Sequence, residues 1–248
     1  MPSKPEASPV TRGGDRLNRA LIGLARGLLS LRYRVDVCGA DAVRPADATG
    51  ILLLPNHDAL IDPVLMVSTL YGRFRPRTLA DEHQIDRPVI AWLCRRFGVI
   101  SLPNLERRGV GAADGMRVAL DRVIAALRQG ENVLLYPAGG IKRSGQEQIG
   151  AKSAVANILQ ALPEVRIVLV RQNGLWGSSF SWARGTEPRL ARALLNGLKA
   201  ILLNGVWFVP KRRVRYDVVE PDDFPRRAGR LEMNAWLEAF YNRDLWPN

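Results

Sequence analysis

Leu52-Leu53-Leu54-Pro55-Asn56-His57-Asp58-Ala59-Leu60-Ile61-Asp62-Pro63 is the stretch on which the reading of this chain turns. The leucine run has the character of a buried strand, and Pro55 ends it. Asp62, followed by Pro63 and Val64-Leu65-Met66, signals a helix start, with the aspartate at the cap and the proline at the first helical position. His57 therefore falls on a strand-to-helix turn, where α/β folds commonly carry their chemistry. A nearby carboxylate can fix the imidazole tautomer and raise its basicity. The same residues also describe an ordinary turn histidine beside an ordinary helix cap. The rest of the chain has to separate the two.

Outward from this turn, apolar strands and amphipathic helices alternate. Tyr33 to Val37 reads as a strand closed by Gly39, and the helix from Pro63 runs to about Gly72. A helix over Pro88 to Phe97 and a strand over Gly98 to Leu102 follow. Met116, Leu120, Val123, Ile124 and Leu127 mark another helix, stopped at Gly130. Further strands are expected at Asn132 to Tyr136, Val165 to Val170 and up to Val219, with helices at Ala151 to Leu162 and Leu231 to Leu245. This alternation predicts an α/β fold, a mixed and largely parallel central sheet flanked by helices. One domain over residues 16–248 is expected, behind a Pro- and Ser-rich leader over 1–15 that has no secretory core.

The N-terminal segment, 16–34, is distinctive. Leu17, Leu21, Leu24, Leu28 and Leu31 recur at four-three spacing, with Arg19 and Arg26 on the opposite face. The helix is too short and too charged to span a bilayer. A leucine stripe backed by arginines suits a membrane interface, and it equally suits packing on the domain core. The apolar Leu190 to Val209 stretch poses the same pair of alternatives.

The chain carries 36 Lys plus Arg against 24 acidic residues, a formal charge of +12, which points to an anionic partner. Nucleic acid is disfavoured: there is no zinc-finger spacing and no RNP-like motif, and aromatic residues make up only 7% of the chain. A phosphate-bearing molecule or an anionic membrane surface remains. With two histidines, and with Cys38 and Cys94 at no metal or redox spacing, no metal is expected, and the cysteines are expected as buried free thiols. Ala138-Gly139-Gly140-Ile141-Lys142-Arg143-Ser144 follows a strand, so its backbone N–H groups can approach a phosphate while Lys142 and Arg143 neutralise it. A glycine turn with solvated charges is the plainer reading. The Asn173 to Phe180 loop, with Trp176 at its centre, either meets an apolar ligand or seals the core.

Four stretches in order resemble the glycerolipid acyltransferase family, which includes the 1-acylglycerol-3-phosphate acyltransferases. Asn56-His57 with Asp62 is similar to its histidine, four residues, aspartate motif. Gly98-Val99-Ile100-Ser101-Leu102-Pro103-Asn104 is similar to the second motif, which in the family usually ends in arginine. Tyr136-Pro137-Ala138-Gly139-Gly140 resembles the third, where Ala138 stands in place of a glutamate. Ile167-Val168-Leu169-Val170 resembles the fourth without its proline, and Gly174 to Ser178 is similar to acyltransferase halves of acyl-carrier-protein ligase fusions.

The resemblance implies an O-acyltransferase of phospholipid metabolism. It would move a fatty acyl group from acyl-CoA or acyl-carrier protein to a hydroxyl of a lysophospholipid-like or other lipid acceptor. His57 would be the general base and Asp62 its orienting carboxylate. Asn56, Asn104, Arg107, Arg108, Gly139, Gly140, Lys142 and Arg143 would serve substrate binding, with the arginines and Lys142 replacing the missing motif cation. No cofactor is expected beyond the acyl donor. The expected setting is peripheral, on an anionic membrane surface at its cytoplasmic face. Two alternatives stand beside this one: a catalytically altered lipid-binding member of the same fold, and an acyl-thioesterase that activates water with the same histidine.

Overall fold

The computed structural model describes residues 14–46, 48–82, 88–102, 112–188, 195 and 211–243. Residues 1–13 of the expected leader, the loop bearing Asn104, Arg107 and Arg108, and nearly all of the apolar Leu190 to Val209 stretch lie outside the described residues, while Gly14 and Asp15, expected in the leader, open the first helix. Among the described residues, seven strands and six α-helices alternate as the pattern predicts. They are α1 (Gly14–Ser30), β1 (Tyr33–Cys38), β2 (Ile51–Pro55), α2 (Asp62–Phe74), β3 (Arg77–Asp81), α3 (Pro88–Arg96), β4 (Ile100–Leu102), α4 (Ala112–Arg128), β5 (Val133–Leu134), α5 (Ala154–Ala161), β6 (Arg166–Asn173), β7 (Arg212–Val219) and α6 (Arg230–Asn242).

The strands form one sheet in the order β1-β7-β6-β2-β5-β3-β4. Every pairing is parallel except β6 with β7, which are antiparallel. Strand β2 is central and buried throughout, because its leucines feed two cores. Leu52 and Leu54 enter the cluster under α4, α5 and α6, while Ile51 and Leu53 enter the one under α2. An uninterrupted apolar run is what a strand covered on both faces requires. Each such side chain contributes roughly 2 kcal/mol through burial. The Tyr241 hydroxyl on α6 donates to the Leu54 carbonyl at 2.7 Å and pins the end of β2 just before the histidine turn.

The reversed direction of β7 has a consequence for the site. β1 runs parallel to β7, so both begin at the edge where β2 and β6 end. Tyr33 and Arg212, paired in register, thus stand at the same edge as His57. The Arg212 guanidinium donates to the carbonyls of Gly174 and Trp176, tying the start of β7 to the loop after β6. Gly174 is required there. It adopts φ +99°, and a Cβ would fall 2.2 Å from the Arg213 carbonyl oxygen.

Three expectations need correction. Asp62 is not the helix cap but the first residue of α2, with Ile61 at the cap position. Its carboxylate turns back to the preceding loop, because the N–H groups there need an acceptor. The core-packing alternative for the leucine stripe of α1 does not hold for most of it: Leu17, Leu24 and Leu28 are exposed, Leu24 and Leu28 by about 60%, while Leu21 and Leu31 are half-buried. The helix is held by other positions. Leu29 packs against the α2 core, and Asn18 is buried between the Tyr71 hydroxyl and the Arg96 guanidinium. Finally, Cys38 is exposed and Cys94 half-buried, both as free thiols.

Candidate active site

The turn after β2 is built around one carboxylate oxygen. Asp62 is fully buried, and its Oδ2 accepts the backbone N–H groups of Asp58 at 2.6 Å and Ala59 at 2.9 Å. The same oxygen lies 3.0 Å from Nδ1 of His57. A carboxylate so fixed can only accept, so Nδ1 carries the proton and Nε2 is left as the basic nitrogen. The imidazole keeps an exposed edge and stacks on Tyr136 at 4.0 Å between centroids, with 21° between planes. Proton acceptor, orienting anion and flat support are therefore all in place.

A buried polar scaffold carries the turn. Asn56 donates through Nδ2 to Asp58 Oδ1 and to the Gln172 carbonyl, and its Oδ1 accepts the Gln172 N–H at 2.6 Å. This clamps the histidine turn to the end of β6 and occupies the side chain expected to meet substrate. Lys142 is buried rather than free for a phosphate. Its Nζ pairs with Asp58 Oδ1 at 2.8 Å, and its backbone N–H donates to the His57 carbonyl at 2.9 Å. Trp176 lies 5.4 Å from the ammonium, closing it from above. Burial pushes the Asp58 carboxyl up to about 6, while the Lys142 ammonium opposes that rise.

Glu147, which no motif marked, also reaches this turn. It is buried and accepts the His57 N–H through Oε2 at 3.3 Å. Asn242 on α6 holds its backbone from both sides. Burial pushes its carboxyl up to about 8, the His57 N–H opposes this, and nearby Asp58 adds to the rise. Glu147 is accordingly protonated near neutrality.

The glycine pair is arranged differently from the expectation. Gly139 adopts φ +69° and its N–H donates to the Tyr136 carbonyl, so this N–H is spent on its own turn. Gly140 beside it is exposed, and a Cβ there would meet no atom within 4 Å. Arg143 is exposed, with its guanidinium 5.1 Å from the Trp182 ring. The loop after β6 serves mainly to seal the core, since Leu175 and Phe180 are buried and the Phe180 carbonyl accepts the Leu60 N–H. Among the described residues no group of three or more His, Cys, Asp or Glu is disposed to hold a metal ion.

His57, Asp62, Asn56, Gly139, Gly140, Lys142 and Arg143 thus come together at one edge of the sheet, with distinct roles. The sequence reading missed Asp58 and Glu147, and it marked Trp176 only as the centre of a loop with two open roles. Asp58 adjoins His57 and could have been suspected as the partner of a nearby cation. For Glu147 no local signal exists, since α6 supplies its anchor.

Comparison with known proteins agrees with this fold. The crystal structure of PlsC from Thermotoga maritima, described as a 1-acyl-sn-glycerophosphate (LPA) acyltransferase, superposes with a TM-score of 0.59 at 16% sequence identity. The match covers 96% of this chain and 86% of that one, so the fold is shared nearly end to end. No curated protein sequence gives a significant match. The model of the Acyltransferase family matches residues 34–171, more than half of the chain, and includes the histidine turn together with Lys142 and Glu147. By that match, the chain belongs to the Acyltransferase family.

Proposed function

We propose that this protein is an O-acyltransferase that moves a fatty acyl group from an acyl-thioester to a hydroxyl of a lysophospholipid-like acceptor at a membrane surface. The observation that carries the reading is the 3.0 Å contact between His57 Nδ1 and an Asp62 oxygen already held by two backbone N–H groups. It commits the imidazole to one tautomer, with Nε2 as the general base. The acceptor hydroxyl loses its proton to Nε2 as its oxygen attacks the thioester carbonyl. A C–O bond forms, the C–S bond breaks, and the imidazolium returns the proton to the leaving thiolate. Asp62 stabilises the imidazolium between those events.

Membrane placement is supported by the outward leucine stripe of α1, since three exposed leucines at helical spacing suit an interfacial face. No helix among the described residues is long and apolar enough to cross a bilayer.

The test uses a labelled acyl-thioester, with and without lysolipid, on wild type and His57→Ala. Acceptor-dependent ester formation that disappears in the variant supports the proposal. Free acid alone would indicate a thioesterase, and wild-type activity in His57→Ala would refute the base.

A further inference from the structure

We propose that the cleft between α1, α2 and the openings of β1 and β7 binds the phosphate ester of one of the two substrates; this rests on the acyl-transfer reading above. The cleft encloses about 350 Å³, at the small end of ligand sites, enough for a phosphate and its adjoining few carbons. Three cations line it, Arg26 from α1, Arg34 from β1 and Lys211 just before β7, and no acidic residue does. Arg34 lies 3.8 Å from Asp36, the single acidic neighbour in an ion pair with any of the three among the described residues. The walls between the cations are apolar, from Leu29, Tyr33, Val35 and Leu65.

The hydroxyls in the cleft sharpen the preference for an anion. Ser30 donates to the Gly27 carbonyl, while Ser68 and Thr69 both donate to the Leu65 carbonyl. Their protons are engaged, so the side-chain donors left for a ligand are the guanidinium and ammonium groups and the Tyr33 hydroxyl. Cations over an apolar wall fit a phosphate ester attached to an alkyl chain, the chemistry common to a lysophosphatidate and to the phosphates of an acyl-CoA.

Position links this cleft to catalysis. The starts of β1 and β7 stand at the edge of the sheet that carries His57. Leu65 is three residues beyond Asp62 on α2 and Thr69 seven, which places the cleft roughly 5–10 Å along the helix axis from the dyad. A substrate anchored by its phosphate there can extend its remaining length toward Nε2. Lys142 is meanwhile committed to Asp58, so the cations for a substrate phosphate have to come from elsewhere.

The experiment is direct binding without turnover, by calorimetry at low salt. A short-chain lysophosphatidate below its micelle concentration and CoA are titrated separately into wild type, Arg26→Gln/Lys211→Gln and His57→Ala. A monoacylglycerol of the same chain length, lacking phosphate, is the control. Each cation should be worth about tenfold in affinity, so the double variant should bind one phosphate ligand at least tenfold more weakly. The control should bind both proteins alike, and the ligand that loses affinity identifies the source of the phosphate. Unchanged binding of both phosphate ligands, or no binding of either to wild type, overturns the proposal. His57→Ala should bind like wild type. If the cleft variant loses binding while wild type forms no ester, the acyl-transfer reading fails and the cleft stands.

Discussion

Replacing Lys142 by methionine tests whether this cation is part of the scaffold or meets the substrate. The side chain is buried, as is its partner Asp58, and their 2.8 Å contact is the turn's ion pair. Removing one member of such a pair leaves a buried charge uncompensated, which costs about 3–5 kcal/mol. Removing both avoids that cost, so Lys142→Met/Asp58→Asn should lie within about 1 kcal/mol of wild type. Burial already holds Asp58 at about 6 against the pull of Lys142, and losing that pull moves it higher. A carboxyl whose folded value is raised loses stability as pH climbs through that value. The deficit of Lys142→Met should therefore be largest above neutrality, shrink as pH falls toward about 6, and level off below that, where both proteins hold the Asp58 proton. Urea unfolding from pH 5 to 8.5 measures this, with the rate of acyl transfer followed in parallel. Activity should fall in the single variant and return in the double. Equal losses of stability in the two variants would refute the reasoning. So would a double variant that is stable yet has lost only its affinity for substrate, because Lys142 would then be a binding cation.

Asp62→Asn removes the charge that steadies the imidazolium while leaving a side chain of the same size, and should lower kcat about 10²–10⁴-fold with circular dichroism unchanged. Glu147→Gln should behave oppositely to a conventional ionised carboxylate. Wild type takes up a proton on folding between 4.5 and about 8, so its stability relative to the variant should decline by roughly 3–5 kcal/mol as pH rises from 5 to 8, read by urea melts. A flat difference across that window would mean Glu147 is ionised. Leu24→Asp/Leu28→Asp changes two exposed residues, so it should fold normally yet sediment with anionic vesicles about tenfold less per leucine.

Much of this was legible because burial on both faces writes a strong signal. The uninterrupted leucines made β2 legible as a buried strand, and the Pro55 stop and Asp-Pro pair placed His57 on a strand-to-helix turn, while the roles expected of His57 and Asp62 came from the family resemblance. The roles of Asn56 and Lys142 were not legible. A polar side chain beside a catalytic histidine looks alike in sequence whether it faces a ligand or clamps the next strand, and the Asn56 clamp closes on Gln172, 116 residues away. Gly139 misled for a related reason. A glycine at positive φ marks a turn, but where its N–H points depends on whether the turn closes on itself, as it does here onto Tyr136. The leucine periodicity of α1 correctly gave a helix, yet periodicity shows only that one face is apolar. What covers that face is a tertiary matter, and here the core takes Leu29 and Asn18 instead.

The charge arrangement explains why so basic a chain builds its site from acids. Asp58, Asp62 and Glu147 approach one turn, and three carboxylates in a buried region would repel one another and resist ionisation. Two of them are neutralised in different ways: Asp58 by the Lys142 ammonium, Glu147 by retaining its proton up to about 8. Asp62 is left as the carboxylate directed at the imidazole. The attraction available to a developing imidazolium then comes from one fixed oxygen, which rigid backbone donors hold before the reaction begins. Ionising Glu147 would add a second anion behind His57 without any oriented bond to its ring, strengthening the imidazolium in its resting state as well as during transfer. On the proposed mechanism, a protonated Glu147 leaves Asp62 as the anion that answers the imidazolium formed during transfer. On the proposed reading, phosphate-binding cations one to two turns along α2 would also stand apart from the dyad, where a guanidinium would oppose the charge that the base takes up.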